Sequence, residues 1–325
     1  MEFDKKDLEI SDLDKVVDDL SNFIQSQTFE HFRKNGIVIG ISGGIDSAVA
    51  ASLAAKTIGS DKVLGLILPE KESNPESKLL AEKLAKSLKI ETKTIDLTPI
   101  LQSFNIYEIR ESIVKKYFKT FNQNSKYRLV TQSKIDSNQM SIPYLEIFDN
   151  DQISKYKLSS TDYSTMTAAT SLKLRSRMTM LYYYAEKNNY LVLGTTNKSE
   201  LDVGNFVKYG DGGVDIEPLS YFYKTQIFQL AKHLNIIPEI IQRKASPDTW
   251  SFETTDEEFF YGMTYEKFDL LLYSIENNIS AQIVSNILDL PLEQTELSLK
   301  NIRRKIKNSE NKRNMPPQWK SNKSK

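Results

Sequence analysis

No cysteine occurs among the 325 residues, and that absence excludes more than any other. It removes disulfides and thiolate metal sites. It also removes the thiol nucleophile on which familiar glutaminase modules depend. If the protein installs nitrogen, it takes ammonia from solution or from a separate glutaminase partner. Sulfur-transfer chemistry, which generally needs reactive cysteines, is disfavoured on the same ground. Histidine is nearly as scarce, with His31 and His233 the only two. Both fall towards the ends of expected helices, where surface or C-terminal capping roles suit them better than catalysis. Net charge is missing as well: 43 basic and 43 acidic side chains balance, so no global field draws the chain to nucleic acid or a membrane. No apolar run is long enough to span a bilayer, and the acidic start MEFDKKDLEISDLD lacks the apolar core of a secretory signal. A cytoplasmic protein is expected.

What is present is an alternating rhythm. The chain is long enough for one large α/β domain with an insertion, or for two modest domains. Ser11 to Asp14 reads as a capping box before an amphipathic helix carrying Leu13, Val16, Val17, Leu20 and Phe23. Short apolar strands follow at Ile37–Ile41, Val63–Leu68 and Ile90–Ile95, separated by helices. This pattern predicts an α/β fold, a parallel sheet with helices on both faces, whose ligands sit at the carboxyl ends of the strands. The rhythm breaks after Phe104. Residues 105 to about 165 contain a helix (Ile106, Ile109, Ile113, Tyr117) and strand-prone pieces at Tyr127–Thr131 and Tyr144–Phe148. They read as a hairpin-bearing insertion, either a surface elaboration or a lid over the site. The α/β pattern resumes with a helix over Ala168–Lys187 and the strand Leu191–Leu193, and everything after Thr264 reads as helical. We take residues 1–325 as a single domain with a helical C-terminal extension over 264–325. The tyrosines Tyr182–Tyr184 suit helix packing better than base stacking.

The most informative string is IVIGISGGIDSAV, residues 37–49. A buried β-run ends in Ser42, Gly43 and Gly44, where two residues without Cβ let backbone N–H groups close around an anion. Ser47 and an Ala-rich helix begin immediately behind, so a helix N-terminus points at the same spot. No lysine follows the glycines, which sets the loop apart from GxxxxGK[ST]. Asp46 places negative charge where a purely phosphate-binding loop would avoid it, which suggests a bridging Mg²⁺. The plainer alternative is an ordinary strand-to-helix turn with Asp46 as a helix cap. SGGxDS resembles the pyrophosphate loop of the ATP pyrophosphatase superfamily. The resemblance implies cleavage of ATP between the α and β phosphates, adenylation of a substrate oxygen and release of pyrophosphate.

A second constellation follows the strand Leu191–Leu193: GTTNKSE, then KYGDGGVDIEPLSYFYKTQ. Thr195 stands at a strand's carboxyl end, and Glu200, on an expected short helix, is placed to share a metal with Asp46. Lys208, Asp211, Asp215 and Lys224 surround Gly210, Gly212 and Gly213, whose missing side chains would let the segment approach a ligand. These strings, with SLKLRSRM before them, resemble ammonia-dependent NAD⁺ synthetases over residues 37–104 and 168–260.

That resemblance implies the following roles. The loop Ile41, Ser42, Gly43, Gly44, Ile45, Asp46 and Ser47 holds the ATP phosphates, and Thr195, Lys224 and Ser246 also contact ATP. Asp46 and Glu200 bind Mg²⁺, while Arg175, Lys208, Asp215 and Lys312 contact deamido-NAD. Asp46, Lys208, Asp215 and Lys224 form the catalytic set, with Lys224 facing the transferring phosphate and Asp215 or Asp211 taking a proton from ammonium. Trp250 is placed to pack over the nucleotide, and a homodimer is implied. The family often has Asn where Ser171 stands and His where Asn311 stands, both on the dinucleotide side. Two other readings follow: the same chemistry on nicotinate mononucleotide or another carboxylate, and a nucleotide-sensing regulator whose helix-turn-helix-like stretch SAQIVSNILDLPLEQTELSLKNIRRKI binds DNA.

Overall fold

The computed structural model describes residues 4–132, 142–246, 249–252, 255 and 257–319, so the last residues of the expected C-terminal extension, 320–325, lie outside the described residues. Helix α1 (Leu13–Ser26) is capped by Asp12, whose carboxylate accepts the Lys15 N–H at 2.9 Å, in place of the Ser11 box the spacing suggests. Strand β1 (Ile37–Gly40) then leads through α2 (Ile45–Ile58), β2 (Val63–Ile67) and α3 (Pro75–Leu88) to β3 (Glu91–Thr94), in the expected alternation. After α4 (Thr98–Ser103) and α5 (Ile106–Tyr117) come β4 (Lys126–Gln132), β5 (Ile142–Asp149) and β6 (Gln152–Lys157). These pair as a three-stranded antiparallel sheet, one strand more than a hairpin.

Helix α6 (Ser160–Asn188) starts well before the expected Ala168. Its first turns are rich in threonine, a weak helix former, which hides the start in the sequence. The Ser159 hydroxyl caps it by accepting the Asp162 N–H at 3.1 Å, and the Asp162 carboxylate takes hydrogen bonds from Lys116 and Tyr117 of α5. The long helix therefore begins inside the stretch of 105 to about 165 that the sequence reads as an insertion. Strand β7 (Leu191–Leu193), α7 (Lys198–Leu201), α8 (Lys224–His233) and α9 (Pro238–Gln242) follow, and α10 (Tyr265–Glu276), α11 (Ala281–Leu288) and α12 (Leu292–Arg313) close the chain.

The main sheet has the order β3-β2-β1-β7, with every pairing parallel. Strand alternation sorts its side chains into two layers. Ile37, Ile39, Val63, Ile67, Leu191 and Leu193 pack into one core with Val17, Leu20, Leu53, Ile227 and Leu230 of α1, α2 and α8. Val38, Leu64, Leu66 and Val192 enter the opposite core with Leu101, Ile106, Met178 and Leu181 of α4, α5 and α6. Both faces are covered, as such a sheet requires. Alanines 48, 50, 51 and 54 of α2 are fully buried, and their small size lets this helix lie between the sheet and its neighbours.

The chain leaves β1 towards β2 on one side and later returns through β7 on the other. That reversal opens a crevice at the carboxyl ends of β1 and β7, the place where open α/β sheets bind ligands. Phe268, Leu271, Val284, Leu299 and Ile302 of α10, α11 and α12 form a separate core, which accounts for the apolar spacing that resembles a helix-turn-helix. Among the described residues no helix is long and apolar enough to cross a membrane.

Candidate active site

The SGGIDS loop lies at the end of β1 in this crevice. Gly43 has φ of +78°, and a Cβ there would stand 2.3 Å from the Ser77 carbonyl oxygen, so only glycine fits beneath the start of α3. The loop is tied by its own hydroxyls. Ser47 donates to the Gly44 carbonyl at 2.9 Å, and the Ser42 hydroxyl accepts the Gly44 N–H at 3.2 Å. Gly44, not Asp46, occupies the N-cap of α2, so the helix-cap alternative for Asp46 falls.

The Asp46 carboxylate instead turns towards the end of β7. One oxygen meets the Lys224 ammonium at 2.5 Å, and the other accepts the Asn197 side-chain amide at 2.9 Å. Asn197 caps α7 in a reciprocal box with Glu200, fixing both side chains at the mouth of the crevice. Lys224, 1% exposed, reaches the Glu200 carboxylate at 3.7 Å as well. Its backbone N–H is held by the Ser199 hydroxyl at 2.9 Å, and Ser199 in turn donates to buried Asp269, whose carboxyl burial pushes up to about 6. A single cation thus contacts both carboxylates expected to hold Mg²⁺. Two carboxylates within reach of one positive charge, beside a phosphate-shaped loop, fit a hard divalent ion.

These groups open into a cavity of about 810 Å³. Ile41, Ser42, Gly44, Ile45, Asp46 and Ser47 form one wall, joined by Thr195, Glu200, Lys224 and Ser246. Of the loop residues expected at ATP, only Gly43 stays off the wall, behind it. Trp250 and Lys312 also face the cavity. Lys312 comes from α12, its ammonium held by the carbonyls of Gly204 at 2.8 Å and Phe206 at 3.3 Å, with burial lowering its pKa.

The other acceptor-side residues stand elsewhere. Arg175 is exposed and donates to the Lys208 carbonyl, at 3.3 Å from Nε. The Lys208 ammonium ties down the carbonyls of Asn311 and Asn314 at 2.8 and 3.0 Å. Asp215 accepts the Val192 N–H at 2.7 Å and the Tyr182 hydroxyl at 3.0 Å, fastening its segment alongside β7. None of the three lines the cavity. The glycines between them serve the chain's own turn: a Cβ on Gly212 would strike Phe206 at 2.3 Å, and one on Gly213 the Tyr209 backbone at 2.9 Å. Asp211 does line the cavity, accepting the Val207 N–H at 2.8 Å, and burial pushes its carboxyl up to about 6. The histidines remain peripheral, with His233 pairing Asp14 at 3.1 Å and His31 packing edge-on to Phe32.

Several wall residues escape a sequence reading. Arg177 of α6 faces the cavity two positions from the expected Arg175. Helical phase is the signal that would have found it, since Met178 and Leu181 beside it are buried. Arg243 also lines the wall, donating to the Ser77 hydroxyl at 2.8 Å. Behind the wall, burial pushes the Glu217 carboxyl up to about 8, and it accepts the Thr196 N–H at 3.2 Å.

Comparison with known proteins gives the family and the fold. The NAD synthase family model matches residues 16–145 and 130–316. The NH(3)-dependent NAD(+) synthetase of Mesorhizobium japonicum is 35% identical over 293 residues, covering 90% of this chain and 91% of its own. Among solved structures, the NMN synthetase of Francisella tularensis superposes with a TM-score of 0.65 at 26% identity, over 95% of this chain and 99% of its own. The NH3-dependent NAD synthetase of Campylobacter jejuni gives 0.63 at 24% identity, over 96% and 100%, and shares the fold. With its model matched along nearly the whole length and its loop at the β1/β7 crevice, the chain belongs to the NAD synthase family.

Proposed function

We propose that the protein is a ligase that amidates the nicotinate carboxylate of deamido-NAD with ammonia. ATP is the co-substrate, and AMP and pyrophosphate leave through an acyl-adenylate. One observation carries the reading: the SGGIDS loop, Asp46, Glu200 and buried Lys224 converge on one end of the cavity, in a chain of the NAD synthase family. The M. japonicum relative named for this activity supports the acceptor.

The loop N–H groups and the N-terminus of α2 receive the ATP phosphates, with the Ser42 and Ser47 hydroxyls adding donors. Lys224 is drawn from Asp46 towards the charge that develops as the carboxylate oxygen attacks the α phosphate. Mg²⁺ would be held by Asp46 and Glu200, and it supplies the positive charge that makes pyrophosphate a competent leaving group. Ammonium must lose a proton before nitrogen attacks the adenylate. Asp211, on the wall and with a carboxyl near 6, suits that transfer better than Asp215, whose oxygens are engaged by Val192 and Tyr182. Lys312 contacts the acceptor from the wall, and Arg175, Lys208 and Asp215 contact the part of the dinucleotide that extends beyond it. The reading includes a cytoplasmic homodimer, as the resemblance to ammonia-dependent NAD⁺ synthetases implies. It also includes free ammonia, or ammonia from a separate glutaminase, as the nitrogen source.

A second reading keeps the chemistry and makes nicotinate mononucleotide the acceptor, and the likeness to the F. tularensis NMN synthetase favours it. The test supplies each acid with ATP and ammonium and follows AMP and amide. Faster amidation of the dinucleotide is expected, and faster amidation of the mononucleotide overturns the acceptor assignment. Glutamine in place of ammonium should give no amide.

A further inference from the structure

Two parts of the cavity wall without regular structure, residues 69–74 after β2 and residues 243–246 and 249–250 after α9, meet at four buried charges. Glu70 and Glu72 come from the first segment, Arg110 from α5 and Lys173 from α6. The side chains of Glu70, Arg110 and Lys173 are 0% exposed, and that of Glu72 is 9% exposed. Lys173 donates to Glu70 at 2.8 Å and also to Glu72, and Arg110 donates to Glu72 at 2.7 Å. Burial alone would raise the Glu72 carboxyl, but the two cations beside it hold it below its ordinary value.

The inserted segment completes the cluster. Tyr107 of α5 donates its hydroxyl to Glu70 at 2.7 Å, and Tyr127 of β4 donates to Glu72 at 2.8 Å. The second wall segment is caught in the same way. The Thr249 carbonyl accepts from both Lys173 and Arg110 at 3.2 Å, and the Trp250 ring lies 4.1 Å from the Arg110 guanidinium. Beyond Trp250 the backbone runs along the free edge of β4. The Phe252 N–H reaches the Tyr127 carbonyl at 3.1 Å, and the Tyr127 N–H reaches the Ser251 hydroxyl at 3.0 Å. Leu129, on the same strand, faces the cavity.

A surface elaboration has no use for such a cluster, because buried ion pairs stabilise little more than apolar residues of the same volume. What the cluster does provide is fixed distances among α5, α6 and two wall segments that lack regular structure of their own. We infer that α5 and β4 act as a clamp on the cavity. Arg110 and Tyr127 are its positioning residues, holding 70–72 and 249–252 in place so that water is kept from the adenylate. Arg110 itself touches no substrate. This inference rests on the adenylation reading only for its chemical readout. Water entering an opened site would attack the acyl carbon and return the free acid and AMP, so AMP would form without amide.

The test is the double variant Arg110→Met, Glu72→Gln, which removes one charge of each sign and leaves the Lys173–Glu70 pair intact. With limiting ammonium, the ratio of AMP to amide should rise several-fold over the wild type. The kcat/KM for ATP should fall roughly tenfold or more, as expected when a supporting wall shifts. Arg110→Lys, with Glu72 retained, should recover part of both. A double variant with the wild-type ratio and KM, and merely less active enzyme, would show a structural role only and overturn the clamp. Should the variant not fold, hydrogen exchange on the wild type decides. The Tyr127 and Phe252 amides should open together and slow together when an ATP analogue binds, whereas independent exchange unaffected by the nucleotide overturns the clamp. Wild-type enzyme that forms no amide from either acid would instead sink the functional reading, with the exchange measurement still deciding the clamp.

Discussion

Asp46 and Lys224 meet from the first turns of two helices rooted beside the parallel sheet, and their backbones are set by buried neighbours: α2 by the core, Lys224 N–H by Ser199 and Asp269. Lys208 and Lys312 are placed differently. Their ammonium groups hold backbone carbonyls, those of Asn311 and Asn314 in one case and of Gly204 and Phe206 in the other, so a turn and the end of α12 are pinned to each other. The part of the cavity that we assign to the nucleotide is therefore built by the core, and the side that we assign to the acceptor is held by polar ties between peripheral segments. A site divided in this way can keep its energy source while its far end changes.

Breaking the nucleotide end should have the largest effect. Lys224→Met is expected to lower kcat by about 10²- to 10³-fold, the range for removing one donor aimed at developing charge. A loss confined to KM would remove Lys224 from that role. Asp46→Asn should in addition raise the Mg²⁺ concentration needed for half-maximal rate, and an unchanged Mg²⁺ requirement would free Asp46 from the metal. Gly43→Ala comes next. Its Cβ would meet the Ser77 carbonyl at 2.3 Å in a left-handed backbone conformation, so we expect about 1–3 kcal/mol of destabilisation by denaturant unfolding. Tolerance of alanine there would mean that the α2 and α3 starts are not in register as described.

The two ends also differed in how far they could be read from residues alone. SGGIDS, GTTNKSE and the Val38–Ile39 run carry their meaning over a few neighbouring positions, and each lies where its spacing predicts. Lys224 is distant in sequence from Asp46, yet the resemblance implies a role at ATP for both. The start of α6 was hidden because threonines give it little intrinsic propensity and its cap depends on α5. Arg177 required the helical phase of α6, where apolar and polar residues are mixed along the helix. Gly210, Gly212 and Gly213 suggest ligand approach, but the obstacle to a side chain is Val207, Phe206 or the turn's own backbone. The cluster of Glu70, Glu72, Arg110 and Lys173 joins four residues from three separate parts of the chain, and no local pattern announces it.

Glu217 offers a smaller test of what supports the nucleotide end. Its carboxyl, pushed to about 8 by burial against an ordinary 4.5, stays protonated in the fold over a range in which the unfolded chain has released the proton. The folded state then binds more protons, so this group's contribution to stability is complete below pH 4.5 and is lost as pH rises through 8. Glu217→Gln should flatten thermal stability across that window, by up to roughly 1.4 kcal/mol per pH unit. Identical pH slopes for variant and wild type would place Glu217 in water rather than behind Thr196.

The smallest effect, and the one that most sharpens the division, is expected at the acceptor end. Lys208→Met removes the ammonium that ties the KYGDGG turn to the carbonyls of Asn311 and Asn314. The tail then loses its anchor while Lys312 keeps its own ties to Gly204 and Phe206. Because nothing in that change touches Asp46, Glu200 or Lys224, the KM for ATP should hold while the KM for the acid rises by about tenfold or less, the scale of one charge-assisted contact. A parallel rise in both constants would mean that the tail reaches back to the nucleotide, and that the two ends of the cavity are one structural unit after all.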